Sequence, residues 1–249
     1  SGDESEIGPG AGRPCEPAFG CDHGTRVAGI IAGHGKKMSG VAPEASIISV
    51  QVFTLVEAPA CGKCSLAFTS DVLRGLEWVY RNRERYKIAA VNLSLGGGRF
   101  RQVCDSGSPY TRIFELLTRA GVAPVVASGN DGLTDAIANP ACVSDAVSVG
   151  ATSFGDKVAK FSNSADFLDF LAPGATEQAV GKSRGVLSSV PGRGFHRTQG
   201  TSMAAPHVAG AFAVMRSAVP EASLGKMLRA LRQTGRRVVD QRNGIDRKS

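Results

Sequence analysis

The sequence predicts a doubly wound α/β domain, in which a mostly parallel sheet carries helices on both faces. Two observations lead there: short, near-continuous apolar runs recur along the 249 residues, and helical patterns alternate with them. Strands buried on both faces read as unbroken apolar runs, whereas half-solvated strands alternate apolar and polar residues. In chain order the runs are SIISVQVF (46–53), IAAVNLSL (88–95), GVAPVVAS (121–128), AVSVGA (146–151) and FLDFLAPG (167–174). Each is expected to be a sheet strand. Between the first two, Thr-Ser supplies an N-cap for DVLRGLEWVYRNRE, which lines up Val72, Leu73, Leu76, Val79 and Tyr80 on one stripe with Trp78 at its edge. PYTRIFELLTRAG repeats the pattern with Ile113, Leu116 and Leu117 and stops at Gly121. Ligand sites in such folds form beyond the carboxyl ends of the strands.

Composition narrows the possibilities. With 42% hydrophobic and 20% charged residues and no composition shift, residues 1–249 read as one domain, with 1–20 as a loop and 240–249 as a frayed tail. Apolar pieces such as VAPVVAS fall far short of the roughly 20 residues that span a bilayer, so no membrane partner is expected. The opening SGDESEIGPGAGRPCEP has neither the basic start nor the apolar stretch of a signal peptide, which places any export signal upstream of Ser1. Of the net charge of +7, residues 226–249 account for +6, with eight Lys/Arg and two Asp. No aromatics interleave with those charges for base stacking, so they read as a solvated helix end and not as a nucleic-acid site.

Six cysteines, Cys15, Cys21, Cys61, Cys64, Cys104 and Cys142, lie in or beside predicted loops and suggest disulfides in an oxidising compartment. Six cysteines allow 15 pairings. Proximity favours Cys15 with Cys21 and Cys61 with Cys64, leaving Cys104 for Cys142. Reading Cys61-Gly-Lys-Cys64 as half of a zinc or redox site fails for want of a second ligand pair.

Three segments carry chemistry-bearing residues at element ends. CDHGTRVAGIIAG places His23 directly before a helix of small and β-branched residues; VVASGNDG places Asn130 in a glycine turn after a buried strand; GTSMAAPHVAG presents Ser202 at a helix start. A helix N-terminus leaves free N–H groups and a positive dipole end near such a serine, and small neighbours let another backbone approach. A serine there is ordinarily only a cap, a lone histidine is ordinarily structural, and an asparagine after a strand is ordinarily a turn residue. Together with SLGG (94–97), however, the motifs occur in the order His-Gly-Thr-x-Val-Ala-Gly, Ser-Leu-Gly-Gly, Ser-Gly-Asn, Gly-Thr-Ser-Met-Ala-x-Pro-His-Val-Ala-Gly. This set resembles the subtilisin-like serine proteases, the subtilase family, from about Cys21 to Val239.

The resemblance implies a subtilisin-like fold and a serine endopeptidase, secreted and acting on protein or peptide substrates as a monomer. Ser202 would be the nucleophile, His23 the general base, and Asn130 the side-chain donor to the oxyanion alongside the Ser202 backbone N–H. Ser94, Leu95, Gly96 and Gly97, with Ala127, Ser128 and Gly129, would bind the substrate backbone and line the specificity pocket. An inhibitory pro-segment and a signal peptide would belong to the precursor. Those walls carry no acid that would face a basic side chain, so apolar or broad specificity is expected. His34, His196 and His207 are read as structural or surface residues. Asp131, Asp135 and the other loop acids form no distinct ligand cluster, so no metal or other cofactor is assigned, although some relatives bind structural calcium. A lipase-like elbow needs Gly-x-Ser-x-Gly, and the second glycine is absent around Ser202.

One element of the pattern does not occur. The family's orienting carboxylate ends the first core strand, upstream of the histidine, and residues 1–22 contain no apolar strand with an Asp-Ser/Thr-Gly triplet. Asp3 lacks the strand context, and Asp22 adjoins His23, where neighbouring side chains diverge. The expectation is a partial catalytic domain lacking its Asp-bearing first strand; the alternative is an inactive scaffold that holds extended peptides without cleaving them.

Overall fold

Four of the five apolar runs pair into one sheet. The structure is a computed structural model that describes residues 22–58, 62–175 and 185–248. In chain order its elements are α1 (His23–Ala32), β1 (Phe53–Ala58), β2 (Gly62–Ala67), α2 (Thr69–Asn82), β3 (Ala90–Leu93), β4 (Gly97–Phe100), α3 (Thr111–Arg119), β5 (Ala123–Ala127), β6 (Ile137–Asn139), β7 (Val147–Ser153), β8 (Lys157–Val158), β9 (Phe170–Pro173), β10 (Val186–Val190), β11 (Gly194–Thr198), α4 (Thr201–Ala218), α5 (Leu224–Thr234), β12 (Arg237–Asp240) and β13 (Ile245–Lys248). Strands β3, β5, β7 and β9 run parallel, with Val91 opposite Pro124, Val125 opposite Val147 and Val149 opposite Phe170. The short β8 joins the end of β7 antiparallel.

Both faces of this sheet are covered, as the unbroken apolar runs require. On one side α2 and α3 supply Val72, Leu76, Val79, Ile113, Phe114 and Leu117 to a core that includes Leu93 and Val126. On the other, α4 and α5 pack Ala204, Ala205, Phe212 and Met227 against Val125, Val149 and Phe170. The fold is therefore the expected α/β architecture. Among the described residues no helix is long and apolar enough to cross a membrane.

Three local expectations are corrected. Residues 46–52 form no strand; the ladder starts at Phe53, and β1 pairs with β2 as an antiparallel hairpin apart from the sheet. An apolar run becomes a strand only where a neighbour takes up its backbone groups, and among the described strands β3 pairs with β5 alone. Ile47, Ile48 and Val50 accordingly remain exposed. Thr69 and Ser70 lie inside α2, whose N-cap is Phe68 in extended conformation with no side-chain hydrogen bond.

The carboxyl-terminal stretch is not a frayed tail. Residues 237–248 form the β12–β13 hairpin, and Asp240 is fully buried. Arg242 binds its carboxylate through Nε to Oδ1 at 2.9 Å and Nη2 to Oδ2 at 2.7 Å, and sends Nη1 to the Ser162 carbonyl at 2.6 Å. Arg232 and Arg236 pair with Asp169 and Asp156. Two of the eight basic residues read from the sequence are thus matched by acids of the β7–β9 region, and a third by Asp240.

Cys104 and Cys142 form a disulfide, as proximity leaves them to do. Their sequence separation of 38 residues corresponds to about 4 kcal/mol of loop-closure stabilisation in the chain-entropy account. Cys64 is also disulfide-bonded, while Cys15, Cys21 and Cys61 lie outside the described residues.

Burial pushes the Asp240 carboxyl up, but the hydrogen bonds and charge of Arg242 outweigh it and hold it below the usual range. A carboxyl depressed on folding contributes stability above its unfolded value of about 3.9 and loses it as pH falls through the folded value. Asp240→Ala should therefore cost about 3 kcal/mol at neutral pH by urea denaturation, because it strands a mostly buried guanidinium. That deficit should shrink on acidification below pH about 4.

Candidate active site

Ser202 lies in the first turn of α4, directly after Gly200 and Thr201. Gly200 has φ 153°, a conformation in which a side chain is strained. A Cβ there would stand 3.7 Å from the Asn130 side-chain nitrogen, the Asn130 side-chain oxygen and the Ser202 backbone nitrogen alike. These two candidate donors therefore border the same space.

Pro206 shapes the same turn. It has no N–H for the carbonyl four residues earlier, which is that of Ser202. The Ser94 hydroxyl donates to that carbonyl instead, at 2.8 Å, and itself accepts from Asn92 Nδ2 at 2.9 Å. In the other direction, Ser202 Oγ donates to the Ser94 carbonyl at 3.4 Å, near the limit of a hydrogen bond. The nucleophile candidate is firmly anchored through its backbone and only loosely through its hydroxyl.

Asn130 follows β5 by three residues and is solvent-exposed. Its Oδ1 accepts from the Thr201 backbone N–H at 2.8 Å and from Thr201 Oγ1 at 3.0 Å. A backbone N–H can only donate, so the atom facing it is the oxygen and the amide nitrogen is turned the other way. Thr201 is fully buried and also accepts from the Gly129 N–H at 3.2 Å, which fixes the loop to the helix start. Thr201 is thus a supporting residue that the sequence marks only by its place between Gly200 and Ser202.

His23 opens α1. The Ser188 and Ser189 hydroxyls of β10 donate to the Arg26 and Thr25 carbonyls, at 2.6 and 3.1 Å. Gly29 permits this close approach, since a Cβ there would come within 2.3 Å of Ser189 Oγ. The Phe53 ring lies edge-on to the imidazole with centroids 6.5 Å apart. Burial holds the imidazole below its ordinary pKa, with Asp22 raising it and Arg26 lowering it. Arg26 takes the Asp22 carboxylate and donates to His196 Nδ1 at 3.2 Å. Among the described residues no carboxylate hydrogen-bonds to His23, and no hydrogen bond joins His23 to Ser202.

The remaining predicted residues divide. Ser94 and Leu95 follow β3, and Gly97 starts β4, with open space where its Cβ would be. At Gly96 a Cβ would meet the Asn139 carbonyl at 2.9 Å, so the protein's own packing already demands glycine there. Ala127 and Ser128 are buried, and the Ser128 hydroxyl is engaged by the Asn163 carbonyl at 2.9 Å, leaving backbone to form any wall at this point. His34 faces Glu44 at 3.4 Å on the surface. His207 directs Nδ1 to the Met203 carbonyl of its own helix at 2.8 Å, and its burial lowers its pKa. Asp135 is bound by Arg99 and Arg101, and Asp131 by Asn163. Among the described residues no three His, Cys, Asp or Glu side chains converge as a metal site would need.

This arrangement matches one family. The model of the subtilase family fits residues 12–248. The chain is 35% identical over 228 residues to Subtilisin Savinase of Lederbergia lenta, covering 89% of this chain and 73% of that protein. It is 35% identical to an alkaline protease of Shouchella clausii, covering 89% of this chain and 52% of that one, so it spans about half the length of several curated relatives. A crystal structure of a cold adapted subtilisin-like serine proteinase superposes with a TM-score of 0.70 at 29% identity, over 91% of this chain and 73% of that chain. The chain therefore belongs to the subtilase family of serine endopeptidases.

Proposed function

We propose that the protein is a secreted serine endopeptidase that cleaves peptide bonds through an acyl-enzyme on Ser202. The observation that carries this reading is the pair of Thr201 hydrogen bonds to Asn130 Oδ1, which ties the Asn130 amide to the start of the helix that carries Ser202. The Asn130 amide and the Ser202 backbone N–H suit a developing oxyanion. In this reading His23 takes the Ser202 proton as the hydroxyl attacks the carbonyl, then hands it to the leaving amine. Water repeats the sequence to release the acyl group. Ser94, Leu95, Gly96 and Gly97 hold the substrate backbone as an added strand. The precursor carries an inhibitory pro-segment, and the mature protein acts as a monomer.

A fluorophosphonate should label Ser202 in the folded, full-length protein and leave Ser202→Ala unlabelled, by mass spectrometry. Folded protein without an adduct supports a peptide-holding scaffold in its place. Asn130→Ala should lower turnover by about 10²–10³, the cost known for an oxyanion donor in subtilisin.

The base works only when neutral, so a lowered His23 pKa moves the acid limb of the activity profile below the ordinary 6.5. Asp22→Asn removes a charge that raises this pKa and should move the limb further down; Arg26→Gln should move it up. Imidazole resonances followed by NMR check the same directions without turnover. Digestion of a peptide library should show apolar or varied residues before the cut, and selectivity for Arg or Lys would contradict the open, acid-free walls.

A further inference from the structure

Asn163 is completely buried, which is unusual for an amide side chain and tolerable only when its polar groups find partners. All of its side-chain partners lie in one short loop. Oδ1 accepts from the backbone N–H groups of Asp131 at 2.9 Å and Leu133 at 3.1 Å, and Nδ2 donates to Asp131 Oδ2 at 3.1 Å. Its backbone joins in: the Asn163 N–H donates to the Gly129 carbonyl at 3.0 Å, and its carbonyl accepts from Ser128 Oγ at 2.9 Å. Residues 128, 129, 131 and 133 are thus all tied to this one asparagine. Gly132 and Asn130 make no bond to it, and the Asn130 side chain is left to Thr201 and solvent.

The neighbours of Asn163 extend the seam. Gly132 donates to the Phe161 carbonyl at 2.7 Å, and Ser164 donates to the Leu133 carbonyl at 2.8 Å. Gly129, with φ 107°, leaves the space that the asparagine fills, since a Cβ there would stand 2.3 Å from Asn163 Nδ2. A loop with only surface turns to shape it would drift; this one is stitched from beneath on both sides of its functional residue.

We propose that Asn163 is a positioning residue for the oxyanion side of the site, setting the 128–133 loop so that the Asn130 amide meets the charge developing on the substrate. The inference rests on the proposed roles of Ser202 and Asn130. Asn163 touches no reacting atom. It acts through where Asn130 stands, and a donor displaced by about 1 Å forfeits up to about 100-fold in rate.

The test measures the rate of fluorophosphonate labelling of Ser202 in the full-length protein, with thermal unfolding of each variant alongside. Asn163→Asp keeps the shape and the acceptor for both backbone N–H groups, but loses the donor to Asp131 and sets two carboxylates together. It should slow labelling by about 10-fold or more. Adding Asp131→Asn reverses the direction of the same hydrogen bond and should restore the rate to within about 3-fold of the parent. In an Asn130→Ala background, Asn163→Asp should change labelling by less than about 2-fold, because the group it positions is gone. Equal slowing with and without the Asn130 amide would overturn the proposal, as that is the signature of general loosening. So would Asn163→Ala labelling at the parental rate while folded, however much its melting temperature falls. A labelled parent with an unaffected Asn163→Asp variant removes this inference alone; a folded parent that takes no label removes the Ser202 reading and this one with it.

Discussion

The first turn of α4 is held by a hydrogen bond that a proline makes possible. Pro206 cannot donate to the Ser202 carbonyl, and the Ser94 hydroxyl takes its place. An acceptor left unpaired in a buried setting costs about 1–3 kcal/mol, so the proline and the serine at the end of β3 belong together. Asn92 orients Ser94 in turn. The sheet end and the helix start are thereby joined at the proposed nucleophile, and the small side chains around Ser202 follow from how closely those two must approach.

The same closeness runs along the helix. Ala204, Ala205, Ala209 and Gly210 are buried against the sheet and its neighbours, and a Cβ at Gly210 would come within 2.7 Å of Val41. From the other side, a Cβ at Gly174 after β9 would meet the Gly200 carbonyl at 2.7 Å. These small residues contribute little apolar area each, and larger groups, Phe212 further along α4 with Phe170 and Met227, fill the adjoining core. Position is thus gained at the expense of volume: at Ala204, Ala205, Ala209 and Gly210 α4 gives up bulk so that Ser202 can sit tight on the strand ends.

Much of this is legible in the sequence. Unbroken apolar runs identify β3, β5, β7 and β9, and the helical stripe of Val72, Leu76 and Val79 identifies α2, because burial on two faces and on one face leave different periodicities. The run at 46–53 has the same composition as the true sheet strands, but periodicity records apolarity and says nothing about a ladder partner. The tail misleads for a related reason: eight basic residues suggest solvent, and only the fold reveals that Arg242 wraps a buried Asp240. His23, Asn130 and Ser202 stand out by motif. Thr201 and Asn163 do not stand out as supports, since a polar residue that bonds inward has no spacing to distinguish it from one that faces water.

The two halves of the site are built to different standards. Around the oxyanion side, Ser128, Asn163 and Thr201 are fully buried, and the partners of the Asn163 amide and the Thr201 hydroxyl are all accounted for. Elsewhere, Asn92 Oδ1, on the residue that orients Ser94, and Arg26 Nε, on the helix that His23 opens, are, among the described residues, the buried polar side-chain atoms with no hydrogen-bond partner. Stabilising a transient negative charge depends on dipoles that need not reorganise when the charge appears, which favours a buried and fully satisfied frame. A general base has to exchange partners as the proton moves, and its surroundings tolerate incomplete satisfaction at some cost in stability. The frame around the proposed oxyanion donor is thus fully satisfied, while beside the proposed base and the Ser94 contact Arg26 Nε and Asn92 Oδ1 find no partner among the described residues.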